Sequence, residues 1–272
     1  MTAGLHLEGV AVGHAGGEIL VRDVDLTLAP GDVVCLMGPN GVGKTTLLRT
    51  ALGFLPPRAG RVRIDGIDVV TLAAAVARRI AYVPQSYHGD PGHTVLDVVL
   101  MGRTARLGLF AMPDRTDRMA AEHAIETLGL GDVAARTTDR ISGGQRQLML
   151  IARALAQEAR VVVMDEPTSS LDLGNRFALV DRIRALAAAG HAVLVATHDP
   201  EQAFDLGDRV AVLGPDRGFV TGPVGDVLTT ACLRRLYRAD LDLETTESGR
   251  RVVGRARARR TLSDDRMRET LP

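Results

Sequence analysis

Short runs of alternating apolar and polar residues dominate the beginning of the chain. The runs are separated by turn residues, and they cover residues 5–12, 19–21, 24–28 and 60–64. Alternation with a period of two is typical of strands that bury one face. The pattern therefore predicts a small antiparallel sheet, packed around the strongly apolar strand 32–37.

The middle of the chain has a helical pattern instead, with apolar residues at helical spacing through 93–157. After this block, predicted strands alternate with predicted helices. The strands are 161–164, 192–196 and 209–213, and the helices are 173–189 and 200–205. This order favours an α/β fold with a mainly parallel sheet and helices on both faces. The helical block is too long for a loop, so we predict an inserted α-helical subdomain.

Charge and cysteine content narrow the function classes. The 272 residues include 33 acidic and 33 basic side chains, so no overall field draws the chain to nucleic acid or anionic lipid. Two cysteines, Cys35 and Cys232, exclude a disulfide framework and fit a reducing compartment. The N-terminus lacks a signal-peptide pattern, and the longest apolar stretch, near 185–197, is too short to span a bilayer. We expect a chain that is soluble by itself.

A single lysine stands out among the basic residues. Lys44 lies in a glycine-rich stretch that follows the predicted strand 32–37 and precedes a predicted helix. A compact ammonium, rather than a wide guanidinium, suits a phosphate cradle. The stretch consists of Gly38, Pro39, Asn40, Gly41, Val42, Gly43, Lys44, Thr45 and Thr46. Its Gly-x-x-x-x-Gly-Lys-Thr pattern predicts the P-loop of an ATP-binding NTPase core, with Lys44 at the phosphates and Thr45 on Mg²⁺.

Two adjacent carboxylates follow the apolar run 161–164. Asp165 and Glu166 would lie at the carboxyl edge of the predicted parallel sheet, where such sheets bind ligands. Because neighbouring residues on a strand point to opposite sides, we expect the two acids to have different tasks. Asp165 would reach the Mg²⁺ shell, and Glu166 would accept a proton from the attacking water or orient it. Taken alone, the pair could instead cap the helix that follows Pro167.

A further glycine-containing segment precedes the acidic pair. It consists of Ser142, Gly143, Gly144 and Gln145. Taken alone, it could be an ordinary helix start with a serine N-cap, although such a start also exposes N–H groups that bind phosphate oxygens. In this order with the P-loop and the acidic pair, the segment resembles the signature sequence of the ATP-binding-cassette (ABC) ATPases.

The resemblance covers roughly residues 5–253 and implies roles for further residues. Gln85 matches the glutamine loop of the family, which senses Mg²⁺ or water and couples to the membrane partner. Residues 170–172, ending in Asp172, match its D-loop. His198 matches its switch histidine, which is expected at the γ-phosphate, whereas a lone histidine after a strand would otherwise be a helix cap or a satisfied polar residue.

The resemblance also implies an assembly. Two ATPase subunits are expected to form a head-to-tail homodimer, in which Ser142 and Gly144 of one copy close over the ATP held by Lys44 of the other. This homodimer would work with two integral-membrane permease subunits, at the cytoplasmic face of the cell membrane. An extracytoplasmic substrate-binding protein would be an indirect partner, and nucleic acid is not an expected partner.

The expected domain organisation follows from the same motifs. One ABC ATPase domain is expected over 1–248, with the core and the antiparallel β subdomain at 1–85 and 159–248. The helical subdomain is expected at about 86–158. The arginine-rich end, 249–272, is predicted to be a disordered tail. The alternative is that its arginines attract anionic lipid beside the permease.

One position departs from the family pattern. His14 stands where many relatives have an aromatic residue that stacks on adenine. Imidazole also stacks, though more weakly, so His14 is expected to affect adenine affinity and base selectivity. Without the resemblance, it would be a polar loop residue.

The direction of transport and the cargo follow from weaker resemblances. Residues 94–103, 107–110 and 113–117, with 222–229 and 236–240, are similar to ATPases that serve importers of iron chelates, haem, cobalamin or molybdate. A related branch that imports zinc or manganese shares part of the first stretch, and an exporter ATPase is a further alternative. A non-transport ABC protein is disfavoured, because the chain has one P-loop and no sustained heptads.

Overall fold

The computed structural model describes residues 3–13, 17–70, 73–87, 92–108, 111–169 and 171–256. Within these ranges the strands are β1 (Leu5–Gly13), β2 (Ile19–Leu28), β3 (Val33–Met37), β4 (Ala59–Ile64), β5 (Ile67–Asp68), β6 (Ile80–Val83), β7 (Val161–Asp165), β8 (Ala192–Thr197), β9 (Arg209–Leu213), β10 (Phe219–Pro223), β11 (Leu241–Thr245) and β12 (Arg251–Arg255). The α-helices are α1 (Lys44–Ala51), α2 (Ala73–Ala77), α3 (Val95–Leu100), α4 (Arg115–Thr127), α5 (Gly143–Ala156), α6 (Leu173–Ala188), α7 (Pro200–Leu206), α8 (Val224–Val227) and α9 (Thr230–Tyr237).

The central sheet has the strand order β10-β9-β3-β8-β7-β6. The strands from β9 to β6 are parallel, and β10 pairs antiparallel with β9 at the edge. β7 and β8 are buried along their whole length, as expected for strands that helices cover on both faces. The mainly parallel sheet predicted from the sequence is confirmed.

The N-terminal sheet is antiparallel, with the order β2-β1-β4-β5, as the alternating runs predicted. The sequence divided residues 19–28 into two runs, but they form the single strand β2. Asp23 has a left-handed backbone (φ 52°), and β2 carries one more residue than β1 between the pairs at Val10 and Val12. This bulge interrupts the alternation without ending the strand.

The predicted helical insert lies between β6 and β7 and contains α3, α4 and α5. Capping boxes at Thr94, Asp114 and Ser142 start the three helices, which satisfies backbone N–H groups that have no partner within the helix. Apolar residues of these helices, such as Ile125 and Met149, share one buried cluster with residues of the central sheet. The insert is therefore anchored to the core by continuous packing.

A β-hairpin formed by β11 and β12 follows α9. Its second strand lies beyond residue 249, where the sequence predicted a disordered tail to begin. Composition alone does not predict this strand, because arginines are usually solvated. Here the two arginines that precede Val252 and Val253 contact the core instead. Arg250 donates to Asp205 of α7 at 2.9 Å, and Arg251 lies over the Phe204 ring at 5.3 Å. Residues 257–272 lie outside the described residues.

A buried arginine ties the helical insert together. Arg103, 6% exposed, follows α3 in a 3-10 turn. Its Nε donates to Asp117 Oδ1 of α4 at 2.9 Å, and its Nη1 donates to the Ala156 carbonyl oxygen at the end of α5 at 2.7 Å. Glu158 Oε2 lies 2.9 Å from the same Nη1. The hydrogen bond from Arg103 also holds the pKa of the Asp117 carboxyl below its ordinary value.

We predict that Arg103→Met lowers the free energy of unfolding in urea by about 2 kcal/mol at neutral pH, because it removes charge-assisted hydrogen bonds between three elements. Since the Asp117 pKa is depressed in the folded chain, this stabilisation is present above the pKa of a free aspartate and is lost as the pH falls through the folded value. The difference from wild type should therefore shrink below about pH 4.

The matched control is Arg118→Met, which removes the exposed ion pair with Glu122 on α4. This change should cost less than about 0.5 kcal/mol. Equal losses from Arg103→Met and Arg118→Met would contradict the account of the insert.

Candidate nucleotide-binding and hydrolysis site

The predicted P-loop is a tight turn between β3 and α1. Gly43 precedes α1 with a φ of 112°, a conformation that strains any residue with a Cβ atom. A Cβ atom at Gly38 would approach the carbonyl oxygen of Leu213 to 2.8 Å. α1 has no side-chain cap, so its first backbone N–H groups can donate to phosphate oxygens.

Lys44 is held inside this turn. Its side chain is 6% exposed, and its Nζ donates to the carbonyl oxygens of Gly38 at 2.7 Å and Pro39 at 3.2 Å. Nζ also lies 3.8 Å from Glu166 Oε1. Burial lowers the pKa of the ammonium, and the charges of Glu166 and Asp165 oppose that shift. Because an ammonium has three N–H donors, one remains for a carboxylate or a phosphate oxygen.

Asp165 is the last residue of β7 and lies against the P-loop. Thr45 Oγ1 donates to Asp165 Oδ2 at 3.2 Å, and the aspartate is 5% exposed. Burial raises the pKa of the Asp165 carboxyl, which the hydrogen bond from Thr45 opposes. A hydroxyl and a carboxylate beside a phosphate cradle match the oxygen ligands that Mg²⁺ prefers. The residues present therefore fit Mg²⁺.

Glu166 is the centre of a separate set of contacts. Its side chain is 12% exposed. Gln85, which follows β6, donates from Nε2 to Glu166 Oε2 at 3.1 Å. The Nδ1 atom of His198, which follows β8, lies 3.1 Å from Glu166 Oε1. Glu166 thus contacts side chains from the ends of two other strands, in addition to Lys44.

Both acids lie beside the P-loop, although Glu166 has left the regular strand geometry on which the alternation of sides depends. Glu166 comes just after β7 and has a left-handed backbone, with a φ of 47°. Its N–H still continues the pairing with β8, because it donates to the carbonyl oxygen of Ala196 at 2.9 Å. The left-handed turn brings the Glu166 side chain to the same cleft beside the P-loop as Asp165. The two acids therefore share one cleft and differ in their partners.

The strand ends enclose a cavity of about 380 Å³. Its lining includes the predicted residues Asn40, Gly41, Gly43, Lys44, Thr45, Thr46, Gln85, Asp165 and Glu166. Leu20 of β2 also lines it and was not predicted. Sequence reasoning also missed Tyr82 of β6, whose pKa is raised to about 12 by burial and by the charge of Asp165. A tyrosine near the carboxyl end of a strand that precedes Gln85 is the signal that could have identified it.

The other predicted residues lie elsewhere or outside the described residues. Ser142 is the N-cap of α5, where its side chain and that of Gln145 form a capping box, and Ser142 and Gly143 are exposed. A Cβ atom at Gly144 would lie 3.4 Å from Asn175 Nδ2. Asp172 is the N-cap of α6 and accepts from the backbone of Asn175. Within one chain, as far as the structure describes it, none of these lines the cavity, and His14 and Ser170 lie outside the described residues.

Comparison with known proteins identifies the family to which the chain belongs. Residues 21–169, more than half of the chain, match the family model of the ABC transporter. The chain belongs to the ABC transporter ATPase family. It is an ATP hydrolase. This confirms the resemblance that the sequence analysis based on the P-loop, the signature segment and the acidic pair.

Two curated relatives and one solved structure define the similarity. An uncharacterized ABC transporter ATP-binding protein of Haemophilus influenzae is 38% identical over 88% of this chain and 91% of its own length. The manganese transport system ATP-binding protein MntB of Bacillus subtilis is 36% identical over 86% of this chain and 92% of its own length. An inward-facing ABC transporter described as of the metal-chelate type matches with a TM-score of 0.82 and 30% identity, over 95% of this chain and 99% of that chain.

Among the described residues of this ABC ATPase, none of the helices combines the length and the apolarity needed to cross a membrane.

We predict that Mg-ATP protects Lys44 from an amine-directed label. Lys44 is the only lysine in the sequence, so the N-terminal amine of the purified chain is an internal control for reagent activity. If the ammonium contacts the phosphates, saturating Mg-ATP should suppress labelling of Lys44 and leave the N-terminus unchanged, as measured by mass spectrometry of peptides.

The matched variant is Lys44→Arg, which keeps the charge but replaces the compact ammonium with a wide guanidinium. It should lose both the label and ATP hydrolysis. Unchanged labelling of wild-type Lys44 in saturating nucleotide would refute the phosphate contact.

Proposed function

We propose that this ABC ATPase is the ATP-hydrolysing subunit of an importer for a metal chelate or a molybdate-type oxyanion. The observation that carries the hydrolytic part of the proposal is the position of Glu166. Its carboxylate lies within 3.1–3.8 Å of Gln85, His198 and Lys44, beside the P-loop. A carboxylate held by three polar groups next to a phosphate cradle suits the activation of an attacking water.

Each group has a separate task in the proposed hydrolysis. Glu166 orients the water or accepts its proton, while Gln85 and His198 hold the carboxylate in place from two sides. Lys44 offsets negative charge that develops on the phosphates. When bound at Thr45 and Asp165, Mg²⁺ supplies further charge neutralisation at the phosphate oxygens. Gln85 would also report the state of this site to the membrane partner.

Two copies of the chain would complete the two sites. Ser142 and Gly143 are exposed at the N-terminus of the long helix α5, where N–H groups favour a phosphate. Gly144 lies beside Asn175, close to the Asp172 cap, so the signature segment and the D-loop form one surface. In a head-to-tail homodimer this surface would cover the P-loop of the other copy, and closure would assemble the catalytic groups.

The face near Gln85 is the proposed contact with two integral-membrane permease subunits. Phe54, in the turn after α1, is 64% exposed. Its ring packs edge-on against Tyr82 of β6, with the centroids 6.3 Å apart. An exposed aromatic residue beside the strand that leads to Gln85 supports a docking surface there. The subunit would then act at the cytoplasmic face of the membrane.

The proposed cargo class rests on similarity rather than on a contact. The structure described as of the metal-chelate type covers nearly the whole chain, and this supports a chelate importer with an extracytoplasmic substrate-binding protein. The manganese system of Bacillus subtilis favours the alternative, an importer of a free divalent metal. Because the ATPase never touches the cargo, cargo identity must be measured.

We predict that Glu166→Gln reduces ATP hydrolysis by about 100-fold or more, because the amide cannot accept a proton. Binding of Mg-ATP should persist, since Lys44 and Thr45 remain. The variant should therefore accumulate as an ATP-bound dimer, measured by light scattering on a sizing column. Glu122→Gln, an equivalent change at an exposed residue of α4, is the control and should behave as wild type. Rapid turnover by Glu166→Gln would exclude Glu166 as the base.

The cargo proposal predicts a defect in cells that lack the chain. Under limiting metal supply, such cells should lose iron, cobalt or molybdenum, as measured by elemental analysis. Wild type should restore the content, whereas Glu166→Gln should not. A selective loss of manganese or zinc would favour the alternative importer, and unchanged elemental content would contradict both metal cargoes.

A further inference from the structure

The C-terminal part of the chain makes a direct hydrogen bond to the backbone of His198. Tyr237 is the last residue of α9, and its hydroxyl donates to the carbonyl oxygen of His198 at 2.5 Å. The two residues are separated by 39 positions in the sequence. Burial raises the pKa of the Tyr237 hydroxyl, which keeps it protonated and able to donate at neutral pH.

The helix that starts beside His198 is held by the same C-terminal segment. Glu201 Oε1 of α7 accepts from the backbone N–H of Val253 in β12 at 3.2 Å. Arg250 donates to Asp205 at the other end of α7 at 2.9 Å, and Arg251 covers the ring of Phe204. The hairpin therefore contacts α7 along its length.

Other residues hold the turn between β8 and α7, which contains His198, from the side of the core. Thr197 donates to the side chain of Gln202 at 2.6 Å and accepts from the backbone of Asp199 at 3.0 Å. The Asp199 carboxylate caps α7 and forms an ion pair with Arg176 of α6. By contrast, the His198 side chain is 51% exposed. The direction of its imidazole toward Glu166 therefore depends on how firmly its backbone is held.

We propose that Tyr237 is a positioning residue for His198. Its hydroxyl fixes the peptide group after β8, and this keeps the imidazole Nδ1 atom within 3.1 Å of Glu166 Oε1. Tyr237 reaches that peptide from α9, outside the nucleotide cavity. The inference rests on the proposed role of His198 in hydrolysis and extends it to a residue that does not line the cavity, as far as the structure describes it.

The test is Tyr237→Phe in the full-length chain, which removes the hydroxyl and keeps the ring. We expect the single-turnover rate of Mg-ATP hydrolysis to fall by roughly three- to tenfold, as for the loss of one neutral hydrogen bond. The apparent affinity for ATP should not change, because Lys44 and the P-loop are untouched. The NMR signal of the His198 ring can be assigned through its loss in His198→Ala. In nucleotide-free protein, this signal should lie at a different chemical shift in Tyr237→Phe than in wild type.

Cys232→Ala is the matched control for loosening of α9. Cys232 lies on the same helix and is partly buried, so its truncation reduces packing without removing the hydroxyl of Tyr237. It should leave both the hydrolysis rate and the His198 signal unchanged. If it reproduces the effects of Tyr237→Phe, general loosening of the helix explains them and the positioning role is overturned.

A double-mutant cycle separates this inference from the proposed function. If Tyr237 acts through His198, adding Tyr237→Phe to His198→Ala should cause no further loss of rate. Additive losses would overturn the inference and leave the role of His198 intact. A normal rate for His198→Ala would instead contradict the role of His198 in the proposed function. A slow His198→Ala with an unchanged Tyr237→Phe would overturn the inference alone.

Discussion

The site depends on one buried positive charge. The Lys44 ammonium lies among the carbonyl oxygens of its own loop, with Glu166 at 3.8 Å. Removing a charge from water is costly unless oxygen atoms replace the lost hydration. The fold meets this requirement by bringing the end of β7 to the P-loop. The same arrangement places the ammonium beside the carboxylate that we propose to activate water.

The strand order explains how distant parts of the sequence converge. β3, β8, β7 and β6 are consecutive neighbours in the central sheet, and each is followed by a group that contributes to the site. Lys44 follows β3, His198 follows β8, Glu166 follows β7 and Gln85 follows β6. The carboxyl edge of a parallel sheet is where ligands bind in such folds. Here four adjacent strand ends supply the cradle, the carboxylate and the groups that orient it.

Much of this arrangement was predictable because its determinants are local. Strands buried on both faces are continuous apolar runs, and the P-loop needs glycines at fixed spacing, so both are recognisable from short windows of sequence. The left-handed backbone of Glu166 was not predictable, because it depends on pairing with β8 after the strand has ended. The contact of Tyr237 with His198 was not predictable either, since it forms between distant segments. The strand β12 was not predicted, because the arginine-rich composition of this segment is typical of a disordered tail.

The helical insert and the site are held together in different ways. Arg103 fixes the helical insert by bonds to two other elements, whereas the groups around Glu166 come from separate strand ends and the cavity between them remains open to a ligand. The helices of the insert share one packed core with the sheet, so we expect a movement of the sheet edge to be passed to the insert. We propose that hydrolysis and its transmission to the membrane partner depend on the same edge of the sheet.

The most direct test is an experimental structure of the full-length chain with Mg²⁺ and a non-hydrolysable ATP analogue. We expect Lys44 Nζ to contact the β- and γ-phosphate oxygens, with Thr45 and Asp165 at the metal. We also expect Ser142 of a second copy to lie at the same γ-phosphate. A nucleotide bound away from Lys44, or a dimer in which Ser142 stays in solvent, would contradict these expectations.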